Sequence, residues 1–305
     1  MERRIFLTLL AAASASVVAS CGSDNPALPA VSSPSDTADP SVPDTAATPS
    51  SDPATESPAE STGEPILTLT SEGGFTTREY AFQNPAMITV TDDGRVITLS
   101  EGPVTDSVLP MHQERTISAE GIAALRSMLD DAGLFADVEY PRNDFIADAS
   151  TATLVVVAAD GTEYRHEAYA LALGGGLPGD PASLEDDPAR ATLASVIDSL
   201  RSELDSVVGA ETLGPVGPWT PDAVQISVVP LGAMEPAPEA DIVAWPATTG
   251  VDLDTVASDS RCVEIERASI GAFFDELTRP VVFEQDEVLY EVYVRPAYPG
   301  RSCDA

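Results

Sequence analysis

Between Gly22 and Glu64 the chain runs 43 residues with 8 Pro, 9 Ser, 5 Thr and 8 acidic residues, and with no aromatic residue and no Arg. Such a stretch cannot bury enough apolar surface to offset the entropy lost on ordering, so it is expected to stay disordered. Any folded core must therefore come from the residues beyond Glu64. A flexible chain of this length has a root-mean-square reach of about 35–40 Å, which its prolines and charges lengthen. Residues 21–64 read as a tether.

The point of attachment is written in the residues before the tether. Arg3 and Arg4 make a basic start, Ile5–Leu10 is apolar, and Val18-Ala19-Ser20-Cys21 closes the segment. This is the layout of a secretory signal. It resembles the bacterial lipoprotein signal, whose lipobox is a branched apolar residue, two small residues and a cysteine. The resemblance implies that residues 1–20 are a cleaved signal peptide, that Cys21 becomes the lipidated N-terminus, and that the protein sits on the extracytoplasmic face of the cell membrane. Ile5–Ser20 is only 16 residues and rich in Ala and Ser, whereas a spanning helix needs about 20 strongly apolar ones. Arg3-Arg4-Ile5-Phe6-Leu7 is also similar to the twin-arginine export pattern, with Glu2 and Thr8 in place of the usual flanking residues. An ordinary basic start accounts for the two arginines equally well, and the export route stays open.

Ile66–Ala305 leaves 240 residues, enough for one large domain or two small packed modules. Here 41 acidic residues face 13 Arg, a net of −28, and the whole chain has no lysine. A surface this anionic repels phosphate backbones and anionic headgroups, which removes nucleic acid as a partner. Membrane association must then come from lipid on Cys21. One acyl chain anchors only marginally, so stable attachment implies the multiply acylated form.

With Cys21 lipidated, Cys262 and Cys303 remain as an even pair in an oxidising compartment. They are expected to form a disulfide that pins the C-terminal end to the body; two free thiols are the alternative.

The folded part reads as α+β: antiparallel hairpins packed with amphipathic helices. Met87–Val90 and Arg95–Leu99 flank an Asp-Gly turn, and Leu154–Ala159 and Thr162–Ala170 flank another. Ser118 caps a predicted helix with Ile122, Leu125 and Leu129 at helical spacing and Gly133 as its stop. Asp187-Pro188 opens a second, carrying Leu193, Val196, Ile197, Leu200 and Leu204 up to Gly209. A third is predicted over Arg267–Leu277, before a hairpin at Val281–Gln285 and Val288–Arg295. Val155, Val156, Asp160 and Tyr164 align with Val281, Val282, Asp286 and Tyr290. Two related helix–hairpin modules, 66–209 and 219–305, are one account, with Gly214–Pro218 as the seam. Coincident hairpin composition explains the echo equally well.

Residues that carry chemistry are few. The only histidines are His112, in a predicted loop, and His166, on an alternating strand. A satisfied sheet histidine is the favoured reading of His166. As a base it would need Asp148 or Asp160 to orient it and Ser150 or Thr151 as nucleophile, and no spacing singles that set out. No G-x-S-x-G elbow and no lysine-bearing phosphate loop is present. Gly174-Gly175-Gly176 has no basic neighbour to make it a phosphate cradle. Glu185-Asp186-Asp187, and Asp252 with Asp254, are acidic enough for a hard cation, but acids collect at helix N-termini for dipole reasons. No catalytic set, cofactor or metal is therefore assigned.

Glu72-Gly73-Gly74-Phe75, followed by helix, hairpin and helix up to residue 208, resembles the order of elements in small bacterial inhibitors of secreted metalloproteases. That resemblance implies an inhibitory loop built on Glu72–Phe75. The leading expectation is a lipid-anchored cell-envelope protein whose non-catalytic domain binds another envelope component or steadies an assembly. A secreted-protease inhibitor and an extracytoplasmic hydrolase are the alternatives.

Overall fold

A computed structural model describes residues 62–100, 107–142, 146–171, 187–232, 240–259 and 262–303. The architecture is α+β, as expected. Strands β1 (Pro65–Gly73), β2 (Ile88–Thr91), β3 (Arg95–Leu99), β4 (His112–Thr116), β5 (Ser150–Val157), β6 (Glu163–Tyr169) and β7 (Gly217–Trp219) form one sheet. Its order is β6-β5-β1-β2-β3-β4-β7, antiparallel throughout.

Register turns alternation into a core. Ile88 pairs with Leu69, Leu69 with Leu154, and Leu154 with His166, while Val90 pairs with Leu67 and Leu67 with Val156. Since side chains along a strand alternate faces, these rows point the same way. Helices α2 (Ala119–Asp131), α3 (Pro188–Ser202) and α4 (Leu204–Val208) cover them with Leu125, Leu129, Leu193, Val196, Leu200, Leu204 and Val208.

The helix ends obey the sequence. The Ser118 hydroxyl accepts from the Gly121 amide at 3.4 Å, and Gly133, at φ 70°, ends the turn after α2. Asp187 Oδ1 accepts from the Arg190 amide at 2.9 Å. The second helix breaks earlier than expected: Glu203, at φ −132°, separates α3 from α4, and Gly209 ends the latter. In the β2–β3 turn, Gly94 has φ 84°, and a Cβ there would stand 2.5 Å from the Ile117 carbonyl. Only glycine fits that approach.

The second sheet contains β8 (Ala223–Pro230), β9 (Asp241–Ala244), β10 (Val263–Glu266), β11 (Val281–Gln285) and β12 (Val288–Pro296), in the order β10-β8-β12-β11-β9. Only the β9–β11 pair is parallel. Its core holds Val224, Ile226, Phe283, Tyr290 and Val294 against Trp245, Phe274 and, from α5 (Leu253–Asp259), Leu253 and Val256. The helix expected over Arg267–Leu277 is interrupted. A four-residue turn, α6 (Arg267–Ile270), ends at Gly271 with φ 56°, and a 3-10 turn comes next at Phe273–Asp275. The glycine breaks the helix, yet Ile270, Phe273, Phe274 and Leu277 still pack into the core.

The chain crosses between the sheets more than once. Val108 and Leu109, just before β4, are buried in the second core, and the Val108 amide donates to the Leu277 carbonyl at 3.1 Å. Within the Gly214–Pro218 run, Gly217 and Pro218 belong to β7, the outer strand of the first sheet. The β5–β6 and β11–β12 hairpins also hold different places, β6 at a sheet edge and β12 inside one. A short helix, α1 (Arg78–Gln83), lies against β12. Among the described residues no helix is long and apolar enough to cross a membrane.

Candidate functional site

The alternation of β6 puts His166 at the end of the Ile88–Leu69–Leu154 row, where it is fully buried. Its Nε2–H donates to the Leu134 carbonyl at 2.9 Å, because a carbonyl only accepts, and Tyr140 donates its hydroxyl to Nδ1 at 2.9 Å. Burial, then the charge of Asp187, pushes the Tyr140 phenol up to about 12, which keeps that proton in place. Thr151 and Ser150 lie three and four strand positions from Leu154, the residue opposite His166, about 10 and 13 Å along the strand. Asp160 Oδ1 accepts from the Thr162 amide in the β5–β6 turn, and Asp148 lies before β5 at φ 60°. The set that a hydrolase would need is thus spread along the hairpin.

His112, expected in a loop, is the first residue of β4 and buried. Its arrangement repeats that of His166. Nδ1–H donates to the Pro110 carbonyl at 3.0 Å, and the Tyr298 hydroxyl donates to Nε2 at 2.6 Å. Burial pushes this imidazole down to about 4 and the Tyr298 phenol up. Trp219 stacks on Tyr298, and the His112 ring stands edge-on to both. Sequence reasoning misses this cluster because 186 residues separate His112 from Tyr298.

A second network lies under α1. Gln225, fully buried, accepts from Arg295 Nε at 2.8 Å and donates to Glu264 and to the Arg301 carbonyl. Arg301 reaches the Asn84 carbonyl and, at 3.0 Å, Glu72. Burial first, then Arg301, lowers the Arg295 guanidinium to about 10. Arg295 also donates to the Phe82 carbonyl in α1, so that these contacts join β1 and α1 to the second sheet.

The remaining expected residues are scattered over the fold. Cys262 and Cys303 pair at disulfide distance, with Cα atoms 5.1 Å apart. Asp252 Oδ1 accepts from the Asp254 and Thr255 amides at the start of α5, and Asp187 caps α3. Among the described residues no group of three His, Cys, Asp or Glu is placed to hold a metal ion. Cys21, Gly174–Gly176, Glu185 and Asp186 lie outside the described residues. Phe75 is 91% exposed, carried on Gly73 and Gly74 at φ 84° and 90°.

Where β4 and β7 meet the turn after α6 there is a cleft of about 690 Å³. Leu109, Pro110, Met111, Trp219, Pro221 and Leu277 supply its apolar wall. Arg267 also lines it, ion-paired to Asp275. A second cavity, of about 780 Å³, runs under α3 and α4 and shares Ser100, Gln113 and Val216 with the first. Met111 is 52% and Val216 56% exposed, and Leu99 beside them 39%. The first cleft is mainly apolar, whereas polar and charged side chains such as Glu114, Arg115, Arg201 and Asp205 line much of the second.

No family model, no curated protein and no solved structure matches the chain.

Proposed function

We propose that this is a lipid-anchored cell-envelope protein that holds a non-catalytic α+β domain off the membrane to bind another envelope component. The anchoring rests on Val18-Ala19-Ser20-Cys21 and the basic start before it. The non-catalytic part is carried by one observation. Each histidine spends both ring nitrogens on a tyrosine hydroxyl and a backbone carbonyl, which leaves neither nitrogen to take a proton from a nucleophile. In detergent phase partition the native protein is expected in the detergent phase, and Cys21→Ser in the aqueous phase. A native N-terminal fragment of unacylated mass would sink the anchored reading. Turnover of a broad ester and peptide panel, lost in His166→Ala, would sink the non-catalytic one.

Phe75 favours a second reading, inhibition of a secreted metalloprotease. A large aromatic held out of its own fold on two left-handed glycines is shaped to enter another protein's pocket. Stoichiometric inhibition of such a protease, lost in Phe75→Ala, is what this reading expects.

A further inference from the structure

Among the described residues six large apolar side chains stay exposed; Phe75 is the only aromatic one, and Met111 and Val216 belong to the cleft beside Trp219. One is a knob, and the other two frame a hole. The knob is held in place. Gly73 pairs with Ser150, the Thr76 amide donates to the Gly74 carbonyl at 2.9 Å, and a Cβ on Gly74 would stand 3.1 Å from the Asp148 carbonyl. Little ordering entropy is left to lose when Phe75 is buried.

Sheet topology puts knob and hole at one end of the first sheet. Strands β1 and β3 run in the same direction, because β2 is antiparallel to both. Phe75 follows the end of β1 and Ser100 the end of β3. Met111 precedes β4, whose His112 pairs with Leu99, and Thr220 follows β7, whose Trp219 pairs with His112. Ser100, Met111 and Thr220 all line the cleft, so it lies past the same sheet end as Phe75. β1 and β4 are three strand spacings apart, about 14 Å, and the exposed Phe75 does not fill the cleft of its own chain.

Charge decides what can approach. On a chain of net −35, a second copy is repelled except where the two surfaces are neutral. The cleft's charged residues are Arg267 and Asp275, ion-paired to each other. Glu72, at the base of the knob, is paired with Arg301 at 3.0 Å, and residues 73–76 carry no charge. An uncharged apolar loop is therefore the occupant this cleft suits, and the chain itself carries one.

We propose that two copies pair end to end about a two-fold axis, with Phe75 of each seated in the other's cleft between Met111, Val216 and Leu277. The two-fold exchanges knob and hole, so both contacts form together and the assembly closes at two. A phenylalanine buries only about 150–250 Å², which makes the contact small for a stable complex. Confinement to one membrane surface supplies the local concentration that a weak pair needs. The pairing thus rests on the anchored reading and makes the bound envelope component a second copy.

The test uses the chain from residue 21 to 305 with Cys21→Ser and an N-terminal hexahistidine tag, held on nickel-chelating vesicles of neutral lipid, so that crowding does not depend on the native anchor. Phe75→p-benzoylphenylalanine replaces the phenyl ring by a photoreactive one. Illumination is expected to give a covalent dimer without a larger ladder, joining light to heavy chains in a mixture with nitrogen-15-labelled protein, and attached near Met111 or Val216. The yield should fall at least tenfold in Met111→Ser/Val216→Ser, both exposed positions, with an unchanged urea midpoint showing that the variant is folded. It should rise as sodium chloride screens the like charges. No adduct, attachment elsewhere, adducts only within one chain, a ladder, full yield in the double variant, or a yield that falls with salt overturns the proposal. The mass of the native N-terminal fragment keeps the two readings apart: an acylated Cys21 without a photo-adduct rejects the pairing alone, and an adduct with an unacylated Cys21 rejects the anchor alone.

Discussion

A buried imidazole is costly unless both ring nitrogens find partners. His112 and His166 each find a carbonyl and a tyrosine. Replacing His166 by Ala opens a cavity in the first core and orphans the Leu134 carbonyl and the Tyr140 hydroxyl. A loss of about 3 kcal/mol is expected, read from urea unfolding. His112 adds a pH dependence. Its folded value, about 4, lies below the ordinary 6.5 because burial disfavours the charged form. The unfolded chain therefore binds the proton first, and the stability tied to neutral His112 is complete above pH 6.5 and lost as pH falls toward 4. The gap in unfolding free energy between the native protein and His112→Gln should shrink by on the order of 3 kcal/mol from pH 7 to pH 4. A gap that stays constant would remove this role for His112. The burial of His166 is legible in the sequence, since strand alternation puts it on the face of Leu154. Its partners are not, because Leu134 and Tyr140 arrive through the chain's return after α2.

At the scale of elements, the local signals are legible in the sequence and the long-range pairings are not. Ser118 and Gly133 bracket α2 as their residue types require, and Asp-Gly turns mark β2–β3 and β5–β6. Substituting Ala at Ser118 should cost about 1 kcal/mol. Nothing local marks Gly217–Trp219 as the seventh strand of a sheet that starts at Pro65, because its pairing with β4 spans about a hundred residues. The cysteine count points to the Cys262–Cys303 pair, but not to what it secures. The segment from Pro296 to Cys303 carries Tyr298, which donates to His112, and Arg301, which reaches Glu72 and Asn84 in the first sheet's neighbourhood. It is a strap between the sheets, fastened to β10 at its end. The bond spans 41 residues, and on the loop-entropy model it contributes about 4 kcal/mol. Adding a reductant should lower the urea midpoint accordingly and speed amide exchange in β4 and β7 before it does so in β5. Uniform exchange across both sheets would argue against the strap.

Across the whole molecule, charge is the largest unbalanced term. A net −35 on 305 residues, with no lysine and with six ion pairs among the described residues, leaves most carboxylates facing one another across solvent. Such self-repulsion opposes the compact state, since unfolding moves like charges apart. Salt weakens it: the Debye length falls from about 30 Å at 0.01 M to about 8 Å at 0.15 M. The surviving attractions are short and partly shielded, like Arg301–Glu72 at 3.0 Å, and lose less over that range. Sodium chloride added from 0.01 to 0.15 M should therefore raise the thermal midpoint, and potassium chloride should do the same by the same amount. Millimolar calcium at constant ionic strength should add nothing, because Asp252 and Asp187 already spend oxygens on helix-start amides. A midpoint that falls with salt would mean that the few ion pairs outweigh the repulsion. A midpoint that rises with calcium alone would reveal a carboxylate site for a divalent cation, and the acidic surface would then be a ligand set as well as a repulsive field.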